Sequence, residues 1–420
     1  MPRHWLTVAM DEHAENTDRP QNAAARRPLP LLLAALALAV VVGVLLAMKP
    51  LFRGSSGPDP SELPAPEADG GPEEAPETPV VSGAAFSPQA TVDDLKQEAI
   101  RAAEELLRAY PDGTDSMGVA ARLESGLGNS EAAAAIWRRC VEADPGCAEA
   151  HFHLGQIAAD GGDFEEAAAM FGKATSLGHD DSIAPARQAD ALLKLGRAEE
   201  AVAVLEPRVG GPATLDKAML LLGQAYLQLS QLDKAKQTLE TLIGADPAEV
   251  RAYYALARVY ARLGQRDKAQ QNLEKFKKLG SVDQEDLRLG ARAYDDAVQV
   301  RALLVKTLLE SGHVFRRRGD PAKAEQSWQA AGVLDPKNGP SRYGLLRLYE
   351  EHRRDHDALK ICEELCRIEP ENPDPWLFVG LLYHRFGRLD AALAALERAV
   401  QLAPGNPKYE QAYRMIKEGG

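Results

Sequence analysis

Eight alanines recur at a spacing of 34 residues, and this periodicity constrains the fold more than any other feature of the sequence. They stand in two series separated by 21 extra residues: Ala133, Ala167, Ala201, Ala235 and Ala269, then Ala324, Ala358 and Ala392. Each period holds two amphipathic stretches on either side of a tight turn. A helix pair this small cannot bury its own apolar face, so the copies have to stack on one another.

Three further columns of residues run in step with the alanines. The turn column is mainly glycine, which readily adopts positive φ: Gly128, Gly162, Gly196, Ser230, Gly264, Gly319, Arg353 and Gly387. A large or apolar column follows each alanine: Trp137, Phe171, Leu205, Leu239, Leu273, Trp328, Cys362 and Leu396. A small-residue column precedes it: Ala121, Gly155, Ala189, Gly223, Ala257, Gly312 and Gly380, interrupted by Leu346. Small residues let helices approach and the large residue fills the gap, so the columns predict one packed helix pair per period.

This pattern resembles the tetratricopeptide repeat, and the last copy matches that family best. The residues that carry the resemblance there are Trp376, Val379, Gly380, Tyr383, Ala392, Leu396 and Pro404. The resemblance covers about residues 114–404. It implies an all-α solenoid, a right-handed superhelix of about eight repeats whose first helices line a concave groove. Two copies depart from the family pattern and are expected to be distorted: the first, with Glu124 in the tyrosine column, and the third, with Pro185 in its first helix.

We divide the repeat region at the 21 extra residues. Residues 93–283 are assigned a capping helix and repeats 1–5, and residues 305–404 are assigned repeats 6–8. The insertion at 284–304 keeps a helical period, so it either lengthens the first helix of the sixth repeat or adds a helix. Residues 405–420 carry apolar side chains at helical spacing and are predicted to form a C-terminal capping helix.

Residues 29–48 form an uncharged apolar run after a short N-terminal tail at 1–28. A helix needs about 20 such residues to cross the hydrocarbon core, so the run predicts a single-pass transmembrane anchor in contact with the lipid bilayer. A cleaved signal peptide is the alternative, but its apolar core is usually about 7 to 15 residues. Small residues four apart on the predicted helix favour self-association, unless they only reflect a high alanine content.

The charges that flank the apolar run predict its orientation. Arg19, Arg26 and Arg27 precede it, whereas Lys49 and Arg53 follow it. Positive residues favour the cytoplasmic side. We therefore expect a cytoplasmic N-terminus and extracytoplasmic repeats, which would be periplasmic in a bacterium.

Residues 54–92 have the composition of a tether. They contain eight prolines and seven acidic residues, with no lysine or arginine. So little apolar material cannot offset the entropy of ordering the chain, and proline keeps such a segment extended. We expect a disordered linker in preference to a proline-motif ligand, because the basic flank of such ligands is absent.

The rest of the sequence gives no support for an enzyme, a cofactor or a metal site. The net charge of −13 opposes binding to nucleic acid. Cys362 and Cys366 lie near His352 and His356, but the repeat register places His356 and Cys366 about 15 Å apart along one helix, so the four cannot converge on one ion. Cys362 occupies the large apolar column, which favours a buried thiol. Cys140 and Cys147 flank a turn, and the sequence leaves open whether they form a disulfide.

The candidate binding surface is the groove face of the first helices in repeats 5 to 7. The repeat register places eight residues there: Arg251, Tyr254, Arg258, Lys306, His313, Arg316, Tyr343 and Arg347. A basic strip with interleaved aromatic residues suits a peptide that carries carboxylates and apolar side chains. The alternative is that these arginines pair with acidic residues on adjacent helices and only solubilise the surface.

These features predict a membrane-anchored scaffold that binds proteins or peptides in its groove and assembles a complex at the membrane. The alternative is an envelope-biogenesis factor that acts as a chaperone for exported clients in secretion, outer-membrane assembly or cytochrome maturation. A regulatory subunit of an enzyme is a third hypothesis. The breadth of the bound clients separates the first two.

Overall fold

The computed structural model describes residues 86–87, 89–179, 183–209, 216–290 and 296–419. The predicted tail, the anchor at 29–48 and most of the linker at 54–92 lie outside these residues. Among the residues that are described, no helix combines the length and apolar character needed to cross a membrane.

The described residues are helical and contain no strand, which confirms an all-α repeat fold. Ten helices precede the insertion: α1 (Val92–Ala109), α2 (Thr114–Gly126), α3 (Ser130–Ala143), α4 (Ala148–Asp160), α5 (Phe164–Ser176), α6 (Ala184–Lys194), α7 (Ala198–Leu205), α8 (Asp216–Gln228), α9 (Leu232–Ala245) and α10 (Val250–Arg262). A short 3-10 helix, Glu206–Arg208, follows α7. Eight more complete the chain: α11 (Arg266–Gly290), α12 (Asp296–Arg317), α13 (Pro321–Leu334), α14 (Gly339–Glu351), α15 (Asp355–Ile368), α16 (Pro373–Arg385), α17 (Leu389–Leu402) and α18 (Pro407–Gly419).

The repeats fall into two compact units, Gly83–Val314 and Phe315–Gly420. In the first unit each helix from α1 to α11 packs on the next, and in the second unit the same holds from α13 to α18. The first helices of repeats 3, 4 and 5, which are α6, α8 and α10, also contact one another in sequence. These first helices therefore line one continuous face of the first unit.

The columns seen in the sequence are the interior of the structure. The alanine column is buried throughout, with at most 8% exposure at Ala269 and none at the other seven positions. All eight turn residues have positive φ, including Ser230 at 60° and Arg353 at 57°. The large column is fully buried except at Leu273 in the fifth repeat, which is 37% exposed. The core therefore runs through every repeat and becomes thinner at the end of the first block.

The small and large columns face each other inside a repeat. A Cβ added to Gly223 would lie 2.6 Å from Leu239, and one added to Gly380 would lie 2.6 Å from Leu396. The seventh repeat reverses the two sizes, because Leu346 stands in the small column and Cys362 in the large one, and both are fully buried. The smaller side chain at Cys362 leaves room for Leu346, which explains how the interruption of the small column is tolerated.

The third repeat and the insertion have local explanations, whereas the first helix of the first repeat, α2, has the same 13 residues as its counterparts α4, α8 and α10 despite Glu124. Pro185 lies in the first turn of α6, where a missing N–H is tolerated, so α6 starts late and spans 11 residues. The insertion extends existing helices: α11 continues to Gly290, and α12 runs from Asp296 as one helix into the sixth repeat. Thr91 and Asp94 form a capping box that starts α1 at Val92, one residue inside the predicted linker.

Candidate ligand-binding surface

The first helices of repeats 1 to 5 carry two aligned columns of residues, all polar except Gly126. One column has the 34-residue spacing of Arg122, Gln156, Asp190, Gln224 and Arg258. The other is Gly126, Asp160, Lys194, Gln228 and Arg262. Because the repeat period aligns them, each column follows the groove from one helix to the next.

Arg258 is the predicted residue whose side chain is most available to a ligand. It is exposed, and within the described ranges it makes no hydrogen bond or ion pair. It lines a pocket of about 220 Å³ together with Gln224, Leu227, Gln228 and Arg262. Arg262 is held in place, since its Nη1 donates to the carbonyl oxygen of Leu227 over 2.8 Å. The pocket therefore carries two guanidinium groups and no carboxylate among its lining residues.

The other predicted residues of the fifth repeat are engaged near the N-terminal end of α10. Arg251 Nε lies 3.0 Å from Glu249 Oε1, and its side chain remains 61% exposed. The ring of Tyr254 is 46% exposed and packs at 5.2 Å between centroids against Phe276. The two aromatic rings provide the apolar part of the predicted strip.

Lys217 adds a positive charge to this face that the sequence analysis did not select. Burial lowers the pKa of Lys217, and the nearby charges of Arg187, Arg251 and Lys194 lower it further, against the opposing effect of Asp190. Asp190 is already paired, with its Oδ2 3.3 Å from Lys194 Nζ. The cations of repeats 3 to 5 are thus close enough to repel one another, which favours an anionic ligand.

Three predicted residues belong to the second unit, where they are paired with carboxylates. Arg316 Nη1 and Arg347 Nε lie 2.8 and 3.3 Å from the same oxygen, Glu351 Oε1. The hydroxyl of Tyr343 donates to Glu369 over 2.8 Å, and burial with this carboxylate raises the pKa of Tyr343 well above its ordinary value. In the second unit the predicted residues therefore fit the alternative interpretation, in which the arginines pair with acidic residues.

The remaining two predicted residues, Lys306 and His313, lie on α12. Lys306 Nζ is 3.9 Å from Glu310 Oε1 and 62% exposed, and His313 is partly buried. Glu310 is itself bound by Arg122 of the first repeat, whose Nη2 lies 2.8 Å from Glu310 Oε2. The groove face of the first repeat is therefore in contact with α12.

Arg122 belongs to a partly buried charge network that the repeat register did not predict. It also donates to Glu149 of α4, which interacts with His153. Burial by itself would raise the pKa of Glu149, but the hydrogen bond to His153 and the charge of Arg122 lower it to about 2. The signal was present in the sequence, because Arg122 stands in the same column as Arg258 four repeats earlier.

Among the described residues, the cysteines and histidines do not form a metal site. Cys140, Cys147, Cys362 and Cys366 are free thiols, and Cys147 is the one that is not buried. Burial raises the pKa of Cys366 to about 12, which suppresses the reactive thiolate. Within the ranges that the structure covers, no group of His, Cys, Asp or Glu residues could hold a metal ion.

Comparison with protein families identifies the repeat. A family model described as tetratricopeptide repeat matches residues 345–417. A second model with the same description matches residues 119–181, 160–207 and 220–272. Together the matches extend over about half of the 420 residues. They lie in both units and on both sides of the insertion.

The individual proteins that the chain resembles share less than 30% sequence identity with it. Superkiller protein 3 of Saccharomyces cerevisiae is 29% identical over 100 residues, which are 24% of this chain and only 6% of that protein. YrrB, described as a TPR protein with an unusual peptide-binding site, has 22% identity and a TM-score of 0.39, over 46% of this chain and 98% of YrrB. MamA from Desulfovibrio magneticus RS-1 has 22% identity and a TM-score of 0.35 over the same shares. None of these likenesses transfers a partner or an activity to this chain.

Proposed function

We propose, because this chain belongs to the tetratricopeptide repeat family, that it is a membrane-anchored scaffold that binds an acidic protein or peptide on the first helices of repeats 3 to 5. The observation that carries the proposal is Arg258, an exposed arginine that has no carboxylate partner among the described residues and lines a small pocket on that face. The aromatic pair of Tyr254 and Phe276 would contact the apolar side chains of the ligand.

The chemistry of the ligand follows from the charges around this pocket. Lys217 and Arg251 lie close enough for their charges to interact, and Arg262 lines the pocket beside Arg258. A carboxylate placed among them would form charge-assisted hydrogen bonds and relieve the repulsion between the cations. Arg122 supports this assignment, because an arginine of the same column already holds carboxylates in the first repeat.

Membrane attachment is the second part of the proposal. Residues 29–48 would hold the chain in the bilayer with the N-terminus in the cytoplasm, and residues 54–92 would act as a tether. A tethered binding domain raises the local concentration of its ligand at the membrane, which is how a scaffold without catalysis promotes assembly.

The binding proposal is tested by crosslinked affinity capture with the full-length chain in detergent. The matched control to Arg258→Ala is Arg138→Ala, since Arg138 is an exposed arginine on the second helix of the first repeat. One dominant partner should be captured by the parent and by Arg138→Ala. Its affinity for purified Arg258→Ala should fall by roughly tenfold at low salt, and by less at high salt.

Equal affinity for both variants would move the site away from this pocket. Capture of many unrelated exported proteins, with none dominant, would favour the chaperone alternative. The topology is tested separately with a reporter that is active only outside the cytoplasm, fused after Gly420. An inactive but well-expressed fusion would reverse the proposed orientation.

A further inference from the structure

One part of the groove face in the first unit already has an occupant. Arg122 of α2 donates to Glu310 of α12 through both Nε and Nη2, at 3.1 and 2.8 Å. The two residues are 188 positions apart in the chain. Their side chains are only 24% and 26% exposed, so the ion pair is largely shielded from water. Such a pair contributes more than one on an open surface.

A close helix contact lies next to this ion pair. A Cβ added to Gly126 would lie 2.8 Å from two carbons of Leu303, so the backbone of α2 and the side chain of Leu303 meet where glycine leaves room. The matching residues in repeats 2 to 5 are Asp160, Lys194, Gln228 and Arg262. These longer side chains would occupy the space in which Leu303 packs. Only the first of these five repeats therefore leaves room for an apolar side chain at this position.

The contacting residues of α12 form a single face. Leu303 and Glu310 are seven positions apart, which is two helical turns, and Lys306 lies between them on the same side. The contact therefore combines one apolar side chain with one carboxylate on an amphipathic helix, which is the arrangement of a helix bound in a groove.

We propose that the groove face of the first repeat is a helix-binding site whose resident ligand is α12 of the same chain, and that α12 closes this end of the groove to other ligands. This goes beyond the binding at Arg258 and does not depend on it. A competing helix would need a carboxylate for Arg122 and an apolar side chain for Gly126. It would also compete against an intramolecular ligand at high effective concentration.

The contact itself is tested by disulfide trapping in the full-length chain. In a Cys147→Ser background, Gly126→Cys is combined with Leu303→Cys, and the control combines Gly126→Cys with Val298→Cys. Val298 is on the same helix but is 62% exposed. Under mild oxidation the first pair should crosslink at least tenfold faster, as identified by mass spectrometry of the joined peptides. Equal rates would overturn the proposal.

The role as a resident ligand is tested by adding a labelled peptide of residues 296–314 to the full-length chain. The parent should bind it weakly, because the site is filled. Glu310→Arg should release the resident helix by repulsion from Arg122 and bind the peptide roughly tenfold more tightly, as measured by fluorescence anisotropy. Addition of Arg122→Glu to Glu310→Arg should restore the internal ion pair and return binding to the parent level. Equal peptide binding by the parent and Glu310→Arg would show that α12 does not occupy the site.

Discussion

Tyr260 donates a hydrogen bond from its hydroxyl group to Glu240, twenty residues earlier in the chain and on the second helix of the preceding repeat. The same relationship joins Tyr226 to Glu206, and Tyr383 to Glu363. The bonds link successive repeats, and stacked repeats depend on such contacts between neighbours for their stability. The tyrosine column of the family pattern therefore has an energetic role here.

Tyr260→Phe should lower the free energy of unfolding by about 1 kcal/mol, because it removes one partly buried hydrogen bond and keeps the ring. Tyr254→Phe is the matched control, since Tyr254 is on the same helix and is 46% exposed. Urea unfolding followed by circular dichroism measures both variants. An equal loss of stability in both would show that the hydroxyl bond to Glu240 contributes nothing specific.

The same tyrosines predict a loss of stability at alkaline pH. Burial and the bond to Glu240 raise the pKa of Tyr260 from 10.0 to about 12. Because the folded pKa is the higher one, this contribution is complete below pH 10 and is lost as the pH rises toward 12. Melting temperature should fall over this range in the parent and fall less in Tyr260→Phe. Parallel curves for the two proteins would contradict the assignment.

The fold was predictable from the sequence because its determinants repeat. The alanine column could be found by spacing alone, and all eight positions proved to be core. The candidate binding surface was only partly predictable, since Arg347 stands in the same column as Arg258. Arg347 Nε lies 3.3 Å from Glu351, whereas among the described residues Arg258 meets no carboxylate. The Arg122–Glu310 pair lay beyond the repeat register, because that contact joins residues 188 positions apart.

Replacement by glycine at two turns should stabilise the fold. Ser230 and Arg353 occupy the positive-φ position that is glycine in the other six repeats. A non-glycine residue there costs about 1 to 2 kcal/mol, against an entropy cost for glycine of roughly 0.5 to 1 kcal/mol. Ser230→Gly and Arg353→Gly should each stabilise the fold by about 0.5 to 1 kcal/mol, seen as a raised melting temperature. Gly264→Ala is the reciprocal control and should destabilise.

The exchanged sizes in the seventh repeat predict strong coupling between two buried positions. Leu346→Gly alone leaves a cavity opposite Cys362, and Cys362→Leu alone overfills the site; each should destabilise by about 2 to 4 kcal/mol. The double variant recreates the glycine and leucine pair seen at Gly380 and Leu396. It should be more stable than either single variant, which urea unfolding would measure. Additive losses in the double variant would show that the two side chains do not share one space.

Truncation to alanine should lower the free energy of unfolding at Arg316 and leave it nearly unchanged at Arg258. Arg316→Ala removes a guanidinium that is 22% exposed and paired with Glu351 at 2.8 Å, so unfolding should become easier by about 1 kcal/mol. Arg258→Ala removes an exposed side chain that has no partner in the described part of the chain, so the free energy of unfolding should change by less than about 0.5 kcal/mol. Glu351→Gln should cost at least as much as Arg316→Ala, because it also removes the ion pair with Arg347. The double variant should lose less than the sum of the two, because both single variants remove the Arg316–Glu351 pair. An Arg316→Ala variant that keeps its melting temperature but binds the captured partner more weakly would instead show that Arg316 contacts the ligand.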